Sequence, residues 1–364
     1  MELSYLSDLT DKNSWSLFSN NRFKFIDKMR LVKSNLLYIS SFSLLLIIIL
    51  FSTLFYVVTS PSVEKGVDYY KVAQGQSIVK VANELNNLKV LNNVYLTRFL
   101  FKIFGFEDKI RAGIYEFNAG DSRWEVLKKL TLGKQKLLSI TFIEGSTFNQ
   151  ITKTIKNSAF LREDIFNGNL TSKTFSFETN GVEGLFFPDT YYYKSDTSSS
   201  EILLLALKKM ESVLKSEWKE RSKGISSVIK TPYDALILAS IVEREAVLDA
   251  EKPVIAGVFI KRLLKNMRLQ SDPTVIYAMG DDYKGNIRRS DLKINSPFNT
   301  YMRKGLPPTP IGATGLVALR AVLNPLMADY LYFVSKNDGS HKFSKTLKEH
   351  NKAVDYYQRK KRNE

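Results

Sequence analysis

Cysteine is absent from this chain of 364 residues, and histidine occurs only twice, as His341 and His350. Without cysteine the chain can form neither disulfides nor thiolate metal sites. Two histidines are too few for a metal site built from imidazoles, although carboxylates could still bind an ion. We therefore predict neither a metal nor a cofactor. The length allows two domains, each with a core of its own.

Charge is absent from residues 36–58, which are LLYISSFSLLLIIILFSTLFYVV. As a helix, these 23 residues are long enough to cross a hydrocarbon layer of about 30 Å. A cleaved signal peptide would have a shorter apolar stretch closer to the N-terminus. Only one acid, Asp27, accompanies the basic residues just before the stretch, which are Arg22, Lys24, Lys28, Arg30 and Lys33. The positive-inside rule then predicts a single-pass anchor in the inner (cytoplasmic) membrane, with residues 1–35 cytoplasmic and the rest extracytoplasmic or periplasmic.

The formal net charge is +16, from 53 basic and 37 acidic residues, so an anionic partner is expected. Nucleic acid is the first such partner to consider. The basic residues are scattered rather than clustered, however, and most of them follow the predicted membrane span. We therefore predict no nucleic-acid partner. An anionic polymer outside the cytoplasm explains the net charge better than nucleic acid does. The membrane that residues 36–58 enter is a second expected partner.

A pattern of strand, glycine turn and helix occurs three times after the predicted span. The turns are Gly75-Gln76-Ser77, Gly120-Asp121-Ser122 and Gly145-Ser146-Thr147, each ending in a residue type that favours helix N-caps. Such units resemble LysM-type modules, which bind glycans rich in N-acetyl sugars. An ordinary small α+β domain with capped helices would explain the same pattern.

We predict an α+β fold made of a transmembrane helix, a small LysM-like subdomain and a larger α+β domain. The predicted boundaries are 1–35 for the cytoplasmic segment, 36–58 for the transmembrane helix, 59–138 for the LysM-like subdomain, 139–357 for the larger domain and 358–364 for a basic tail.

Residues 231–247, TPYDALILASIVEREAV, predict a helix, because Thr231 can cap it, proline suits its first position and good helix formers follow. At about 100° per residue, Glu243 shares a face with small residues such as Ser240, which leaves room for a ligand beside its carboxylate. Glu245 falls on a different face, so the two acids are poor candidates for one site. The alternative is that these charges form the solvated end of an amphipathic helix.

Loop-rich stretches supply further candidate residues. EGLFFPDTYYY, at 183–193, combines acids with aromatics that suit sugar hydroxyls and sugar faces, although an aromatic β-segment of the core is the alternative. LQSDPTVIYAMG, at 269–280, predicts a helix capped by Asp272 with Pro273 at its first position. NSPFNTYMRKGLPPTPI, at 295–311, is too rich in proline and glycine for regular structure. Residues 330–354 predict a strand, a turn and a helix.

Five motifs follow the predicted span in a fixed order, namely EGLFFPDTYYY, ASIVEREA, LQSDPTVIYAMG, FNTYMRKGLPPTPI and YLYFVSKNDGSHKFSKTLKEHNKAV. With them, roughly residues 60–357 closely resemble the endolytic murein transglycosylases of the YceG-like family. Thr309 departs from the glycine expected in the fourth motif.

The resemblance implies that residues 139–357 are a catalytic domain acting on peptidoglycan glycan strands beside the peptidoglycan synthases. It implies cleavage of the β-1,4 bond between N-acetylmuramic acid and N-acetylglucosamine in nascent strands, with 1,6-anhydro ends that terminate elongation. It places the catalytic glutamate at Glu243. The candidate substrate-binding residues are Glu183, Phe187, Asp189, Ser240, Gln270, Asp272, Asn299, Tyr301 and His341.

A lytic transglycosylase needs one carboxyl group, because the acid that protonates the leaving oxygen can then take the proton of the C6 hydroxyl. An ordinary glycosidase uses two carboxyl groups. Two other interpretations stay open. One is a muramidase-type hydrolase with Asp189 or Asp272 as the base, and the other is a non-catalytic, glycan-binding scaffold of the wall-synthesis machinery.

Overall fold

The structure of the chain, a computed structural model, describes residues 12–164 and 178–360. Residues 1–11 of the predicted cytoplasmic segment and residues 361–364 of the predicted basic tail lie outside the described residues. The chain divides after Gln135 into two compact units, of which the larger begins at Lys136. Helices and strands mix in both units, as the α+β prediction requires.

The smaller unit carries a long N-terminal helix and a pair of antiparallel strands flanked by shorter helices. Its elements are α1 (Lys12–Thr59), β1 (Val67–Val72), α2 (Ile78–Asn87), α3 (Val94–Ile103), β2 (Gly113–Phe117) and α4 (Arg123–Leu132). Strand β1 pairs with β2, with an irregularity between Val67 and Tyr70. The core lies between this pair and the three short helices, where Tyr115, Phe101 and Phe117 are fully buried.

The larger unit is mostly helical, with two further antiparallel strand pairs, β3–β4 and β5–β6. Its elements are β3 (Leu138–Thr141), α5 (Phe148–Lys156), β4 (Thr190–Tyr193), α6 (Ser199–Lys219), α7 (Pro232–Glu245), α8 (Lys252–Leu264), α9 (Asp272–Met279), α10 (Leu316–Leu323), β5 (Tyr332–Ser335), β6 (His341–Ser344) and α11 (Leu347–Val354). A π-helical segment, Asp355–Lys360, continues α11. Within the described residues, the stretch 295–311 has neither helix nor strand, as its composition predicts.

The three predicted glycine turns all form. Each glycine has a positive φ, of 71°, 91° and 74° in chain order. Each following Ser or Thr side chain then accepts a hydrogen bond from the backbone of the next helix, which satisfies one of its free N–H groups. The third copy lies in the larger unit, so the repeated pattern is not confined to the smaller unit. The LysM-like identity of the smaller unit stays a prediction.

Helix α1 contains the stretch that the sequence singles out. By length and composition, Lys28–Thr59 is the one helix of the described residues that could cross a membrane. Its C-terminal end is part of the smaller unit, because Val58 is only 6% exposed and packs into the core. Arg123 Nη1 also donates a 3.0 Å hydrogen bond to the carbonyl oxygen of Val57. The helix therefore joins the folded unit directly.

Helix α7 is the centre of the larger core. Thr231 and Asp234 form the predicted capping box, so the helix starts where the sequence indicates. All residues from 235 to 242 are buried, on every side of the helix. The alternative, in which the charges at 243–245 form the solvated end of an amphipathic helix, is wrong, because none of these residues is exposed and the Glu243 side chain is 4% exposed. Its acidic end lies between packed elements, where each carboxylate needs a partner.

The start of α9 lies one residue earlier than the sequence predicts. Ser271 precedes the helix and Asp272 is its first residue, whereas Asp272 was expected as the cap. The Ser271 hydroxyl caps no backbone group and instead donates to Glu245. Its N–H donates to Thr300 Oγ1 at 3.0 Å, which ties the loop before α9 to the irregular stretch 295–311.

Candidate active site

A cleft of about 420 Å³ opens in the larger unit beside the C-terminal end of α7. The first turn of α9, the β5–β6 hairpin and α11 form its other walls. The lining residues are Glu245, Arg262, Gln270, Asp272, Tyr301, Tyr332, Phe333, Val334, Ser335, His341, Leu347, His350, Asn351, Val354 and Gln358. The cleft brings together four of the predicted residues, Gln270, Asp272, Tyr301 and His341.

Glu245, the last residue of α7, is the carboxyl group of this cleft with the most perturbed acidity. Burial raises the pKa of Glu245 from its ordinary 4.5 to about 7, and the charge of Asp272 acts in the same direction. The 2.7 Å hydrogen bond from Ser271 Oγ and the charge of Arg262 oppose this shift. A carboxyl group with a pKa near 7 can both donate and accept a proton at neutral pH. Glu245 is therefore suited to acid–base chemistry.

Asp272 and Tyr301 lie together on one side of the cleft. The Tyr301 hydroxyl donates a 2.6 Å hydrogen bond to Asp272 Oδ1. Burial first, and then the charges of Asp272 and Glu245, raise the pKa of Tyr301, so its hydroxyl stays a donor. Gln270 has a φ of 49°, which is rare for a residue with a side chain, and its N–H donates to Thr300 at 3.2 Å. These hydrogen bonds join the loop before α9 to the irregular stretch 295–311 at the cleft.

His341 enters the cleft with its ring orientation fixed by Glu251. The two groups make two contacts, from the His341 N–H to Oε1 at 3.0 Å and from Nδ1 to Oε2 at 2.7 Å. Because an ionised carboxylate only accepts, Nδ1 carries the hydrogen, and Nε2 is left for a ligand or solvent. The ring also meets Phe333 edge-on, with centroids 5.4 Å apart. This pair holds a polar group beside an aromatic wall.

A buried arginine supports the opposite wall. Arg262 is 6% exposed and donates to the carbonyl oxygens of Leu269 at 2.6 Å and Leu331 at 2.8 Å. Its guanidinium lies 5.4 Å from the centre of the Tyr332 ring, which stacks on His350 at 5.4 Å. Burial and the Arg262 charge lower the pKa of His350, so this imidazole is neutral at neutral pH. The layered rings give the cleft a rigid face.

Glu243 does not line the cleft. Its side chain is 4% exposed, and it accepts from Lys252 Nζ at 2.6 Å and from the Gly315 N–H at 2.8 Å. Lys252, also 4% exposed, has a second partner in Asp249 at 2.8 Å. Although burial alone would lower it, these acidic partners raise the pKa of Lys252 and keep the lysine charged. The two acids of α7 belong to different sites, as the helical spacing predicts.

Glu144, an exposed residue, approaches the same glycine as Glu243. A Cβ atom added at Gly315 would lie 2.0 Å from Glu144 Oε1 and 3.2 Å from Glu243 Oε2, so both carboxyl groups crowd that glycine. Burial and the Glu243 charge raise the pKa of Glu144. The Lys252 ammonium and the Gly315 N–H occupy the Glu243 carboxylate, which lies outside the cleft. Its catalytic role therefore stays a prediction, and the geometry favours Glu245.

Ser240 and Asn299 lie outside the cleft and support the main chain. The fully buried Ser240 hydroxyl donates to Ile237 at 2.7 Å and accepts from the Ile311 N–H at 2.9 Å. The Asn299 amide is also fully buried and donates to the carbonyl oxygens of Leu292 and Ile294. The loop around Asn299 contributes Tyr301 to the cleft, but the Ser240 and Asn299 side chains have backbone partners and do not line it.

The predicted residues of the motif at 183–193 also lie outside the cleft. Glu183 accepts from the Phe148 N–H at 2.9 Å and from Tyr277 at 3.1 Å, while burial raises its pKa. Phe187 is 8% exposed, and Asp189 pairs with Lys209. The structure supports the alternative for this motif, because most of its aromatics pack in the core rather than face a sugar.

The sequence interpretation missed several lining residues, above all Glu245, Arg262 and His350. One signal could have pointed to Glu245. It is an acid on the most apolar side of α7, next to residues that must be buried, and such an acid has a perturbed pKa. No local pattern marks Arg262, because its partners lie at 269 and 331–332 and come together only in the fold. Over residues 12–164 and 178–360, no group of three or more His, Asp or Glu side chains could hold a metal ion.

Comparison with known proteins gives one consistent result. A sequence profile of the YceG-like family matches residues 70–356. The endolytic murein transglycosylase of Bacillus subtilis is 38% identical over 267 residues, which cover 68% of this chain and 73% of that protein. The protein of the same name from Streptococcus pneumoniae D39 is 29% identical over 282 residues, and the match covers 67% of this chain and 50% of that protein. The crystal structure of a YceG-like protein from Listeria monocytogenes has a TM-score of 0.51 and 30% identity, over 79% of this chain and 98% of that one.

Proposed function

The chain belongs to the YceG-like family, and from this premise we propose that it is an endolytic lytic transglycosylase of peptidoglycan, held at the membrane by α1. The names of its relatives supply the reaction class. The single observation that supports the site is the position of Glu245, a partly buried acid with a pKa of about 7 in a cleft of polar and aromatic side chains.

In the proposed reaction, Glu245 protonates the oxygen that links N-acetylmuramic acid to the next N-acetylglucosamine. The bond from C1 to that oxygen breaks, and the muramic acid C6 hydroxyl oxygen bonds to C1. The ionised Glu245 takes the C6 hydroxyl proton, so the group returns to its starting state and no water is consumed. The products are a 1,6-anhydro end and a free 4-hydroxyl. A pKa near 7 suits both proton transfers, because neither protonation state is strongly disfavoured.

Five neighbouring side chains act on this acid or on its substrate. The Ser271 hydroxyl fixes Glu245 Oε2, and Asp272 raises the pKa of Glu245 by its charge. His341, held by Glu251, offers Nε2 to sugar hydroxyl or N-acetyl groups. Tyr332 and Phe333 supply flat apolar faces of the kind that sugar rings contact.

A hydrolytic function is the second candidate, because one further carboxylate lies in the cleft. A muramidase would need a second acid to activate water. Of the two bases that the sequence suggested, Asp189 lies elsewhere and Asp272 lines the cleft. The Tyr301 hydroxyl already occupies Asp272 Oδ1, which favours a structural or orienting role for Asp272.

We also propose that α1 anchors the chain in the inner membrane, with its N-terminal end in the cytoplasm. Lys28, Arg30 and Lys33 begin the apolar part of the helix, and the positive-inside rule places such residues on the cytoplasmic side. The catalytic unit then acts outside the cytoplasm on nascent strands, near the peptidoglycan synthases. The smaller unit is proposed as a LysM-like glycan-binding module.

The test is mass spectrometry of the products formed by the full chain in nanodiscs from uncrosslinked glycan strands. We expect internal cleavage with 1,6-anhydromuramic ends, no cleavage by Glu245→Gln, and retained anhydro products for Asp272→Asn. If the parent chain instead forms reducing ends, and both variants lose this activity, the protein is a hydrolase rather than a transglycosylase. If Glu245→Gln still cleaves the strands and Glu243→Gln does not, the catalytic acid is Glu243, as the sequence resemblance implies.

A further inference from the structure

An apolar groove of about 350 Å³ lies in the smaller unit, far in sequence from the catalytic cleft. One wall is the C-terminal part of α1, and the other comes from the end of α3 and the start of α4. The main lining residues are Phe51, Leu54, Phe55, Val58, Phe104 and Trp124. The surface of the groove is almost entirely apolar, so it suits a hydrocarbon rather than a sugar.

Packing contacts keep the aromatic wall in place. The Phe104 and Trp124 rings lie 5.0 Å apart, and Phe106 stacks on Trp124 at 6.0 Å. On the other side, Val58 is buried, whereas Phe51 and Phe55 are 70% and 63% exposed along the groove. The groove is therefore a preformed feature of the fold that leaves large apolar side chains uncovered.

The position of the groove along α1 indicates what covers these side chains. The uncharged stretch 36–58 has a helical length of roughly 35 Å, close to the roughly 30 Å of a hydrocarbon layer. Phe51 and Val58 lie in the last two turns of this stretch. If α1 spans the membrane, the groove opens at the outer edge of the hydrocarbon layer and is continuous with it. The lipids around α1 are then the nearest apolar molecules.

Basic side chains beside the aromatic wall fit this depth. Lys128 Nζ lies 5.7 Å from the Trp124 ring centre, and Lys109 Nζ lies 6.0 Å from that of Phe106. Tryptophan is enriched at membrane interfaces, and lysine extends its charge from apolar surroundings toward the phosphate layer. The combination matches a lipid whose chain is apolar and whose headgroup is anionic.

We propose that this groove binds an acyl chain of a membrane lipid, with Trp124 and Phe104 in the outer interface and Lys128 and Lys109 directed toward phosphate groups. The smaller unit is then seated on the membrane by its own surface as well as by α1. The proposal rests on the membrane anchor proposed above, and it is independent of the glycan chemistry.

Tryptophan fluorescence can test the groove directly, because the chain has only three tryptophans, Trp15, Trp124 and Trp218. The full chain with Trp15→Phe and Trp218→Phe keeps Trp124 as its single reporter. The matched control, with Trp15→Phe and Trp124→Phe, keeps Trp218, which lies in α6 of the larger unit under the Arg221 guanidinium at 4.0 Å. Both proteins are placed in phosphatidylglycerol–phosphatidylcholine vesicles whose acyl chains carry bromine, a contact quencher.

We expect Trp124 to lose most of its emission in vesicles brominated near the glycerol, less in vesicles brominated near the chain end, and none in unbrominated vesicles. Trp218 should keep its emission in all three. Equal emission of Trp124 in brominated and unbrominated vesicles would overturn the proposal. Equal emission is expected if a second copy of the chain or another membrane helix fills the groove, because lipid then cannot reach Trp124. Failure of the chain to float with the vesicles would instead refute the anchor.

Discussion

The two acids at the end of α7 should respond to the same substitution in opposite ways. Glu245→Gln keeps a group that can accept the Ser271 hydrogen bond but removes the transferable proton. Loss of one general acid–base group typically reduces a rate by about 10²–10⁴, or roughly 3–5 kcal/mol of transition-state free energy. We therefore expect the cleavage rate of Glu245→Gln to fall by this factor.

The same substitution should stabilise the fold near neutral pH. The pKa of Glu245 is about 7 in the folded chain and 4.5 as its ordinary value, so folding disfavours the ionised form by about 3 kcal/mol. Because this folded-state pKa is raised, the free energy of unfolding decreases as pH rises from about 4.5 to about 7. Glu245→Gln lacks this decrease and should melt higher than the parent at pH 7.5, but not at pH 4. The parent's activity should also fall above about pH 7, where the acid form is lost.

Glu243→Gln should instead cost stability. It leaves the Lys252 ammonium, 4% exposed, with only the exposed carboxylate of Asp249 as a charged partner. Breaking a buried ion pair on one side costs about 3–5 kcal/mol, and the remaining partner suggests the lower end. For a unit of this size, about 3 kcal/mol corresponds to a melting temperature lower by roughly 10 °C. Lys252→Met added to Glu243→Gln should recover much of this loss, because no unpaired charge remains.

Calorimetry and a glycan-cleavage assay on the same preparations decide between the two acids. We expect an inactive, stable Glu245→Gln and an active but less stable Glu243→Gln, assayed well below its melting temperature. An active Glu245→Gln beside an inactive Glu243→Gln of unchanged melting temperature would refute the argument from burial. The catalytic acid would then be Glu243, and the Lys252 contact would have to break in the substrate complex.

Two further predictions follow from close contacts in the larger unit. Gly257→Ala should destabilise the chain by about 1–3 kcal/mol in chemical denaturation, because the new Cβ would lie 2.2 Å from the backbone carbonyl oxygen of Leu326, which cannot rotate away. Gly224→Ala, whose nearest contact is 3.8 Å, is the matched control, and equal midpoints would contradict this. Glu251→Gln should lower kcat/KM about tenfold while the melting temperature changes little, because the ring of His341 loses its charged acceptor. Unchanged kinetics would show that the pair of Glu251 and His341 takes no part in the reaction.

Local patterns in the sequence predict most of the elements. The caps at Ser77, Ser122 and Thr231 and the uncharged stretch of α1 depend on residues close in sequence, and the structure has each of them. The start of α9 differs from the prediction by one residue, and the Ser271 hydroxyl before it bonds Glu245 across the fold rather than the backbone of the helix. A partner 26 positions away leaves no trace in local propensity.

The site was predictable only in part. Motif content brought Gln270, Asp272, Tyr301 and His341 into consideration, and they do meet in one cleft. The distinction between Glu243 and Glu245 depends on Lys252 and on the burial of α7, which are properties of packing. The aromatic motif at 183–193 misled the sequence interpretation for a related reason, since aromatic side chains serve cores and sugar sites equally well.

The cleft has a wall made by α11, where Tyr332 stacks on His350 and Asn351 lies beside it. The acid at position 245 leaves the ribosome about a hundred residues before that wall, which takes roughly 5–20 s at ordinary elongation rates. If α1 is inserted in the membrane during synthesis, as proposed, the chain carries the acid during this interval without the face that we propose binds the substrate. Such a chain should be unable to cut the growing wall until α11 has followed and has folded onto the hairpin.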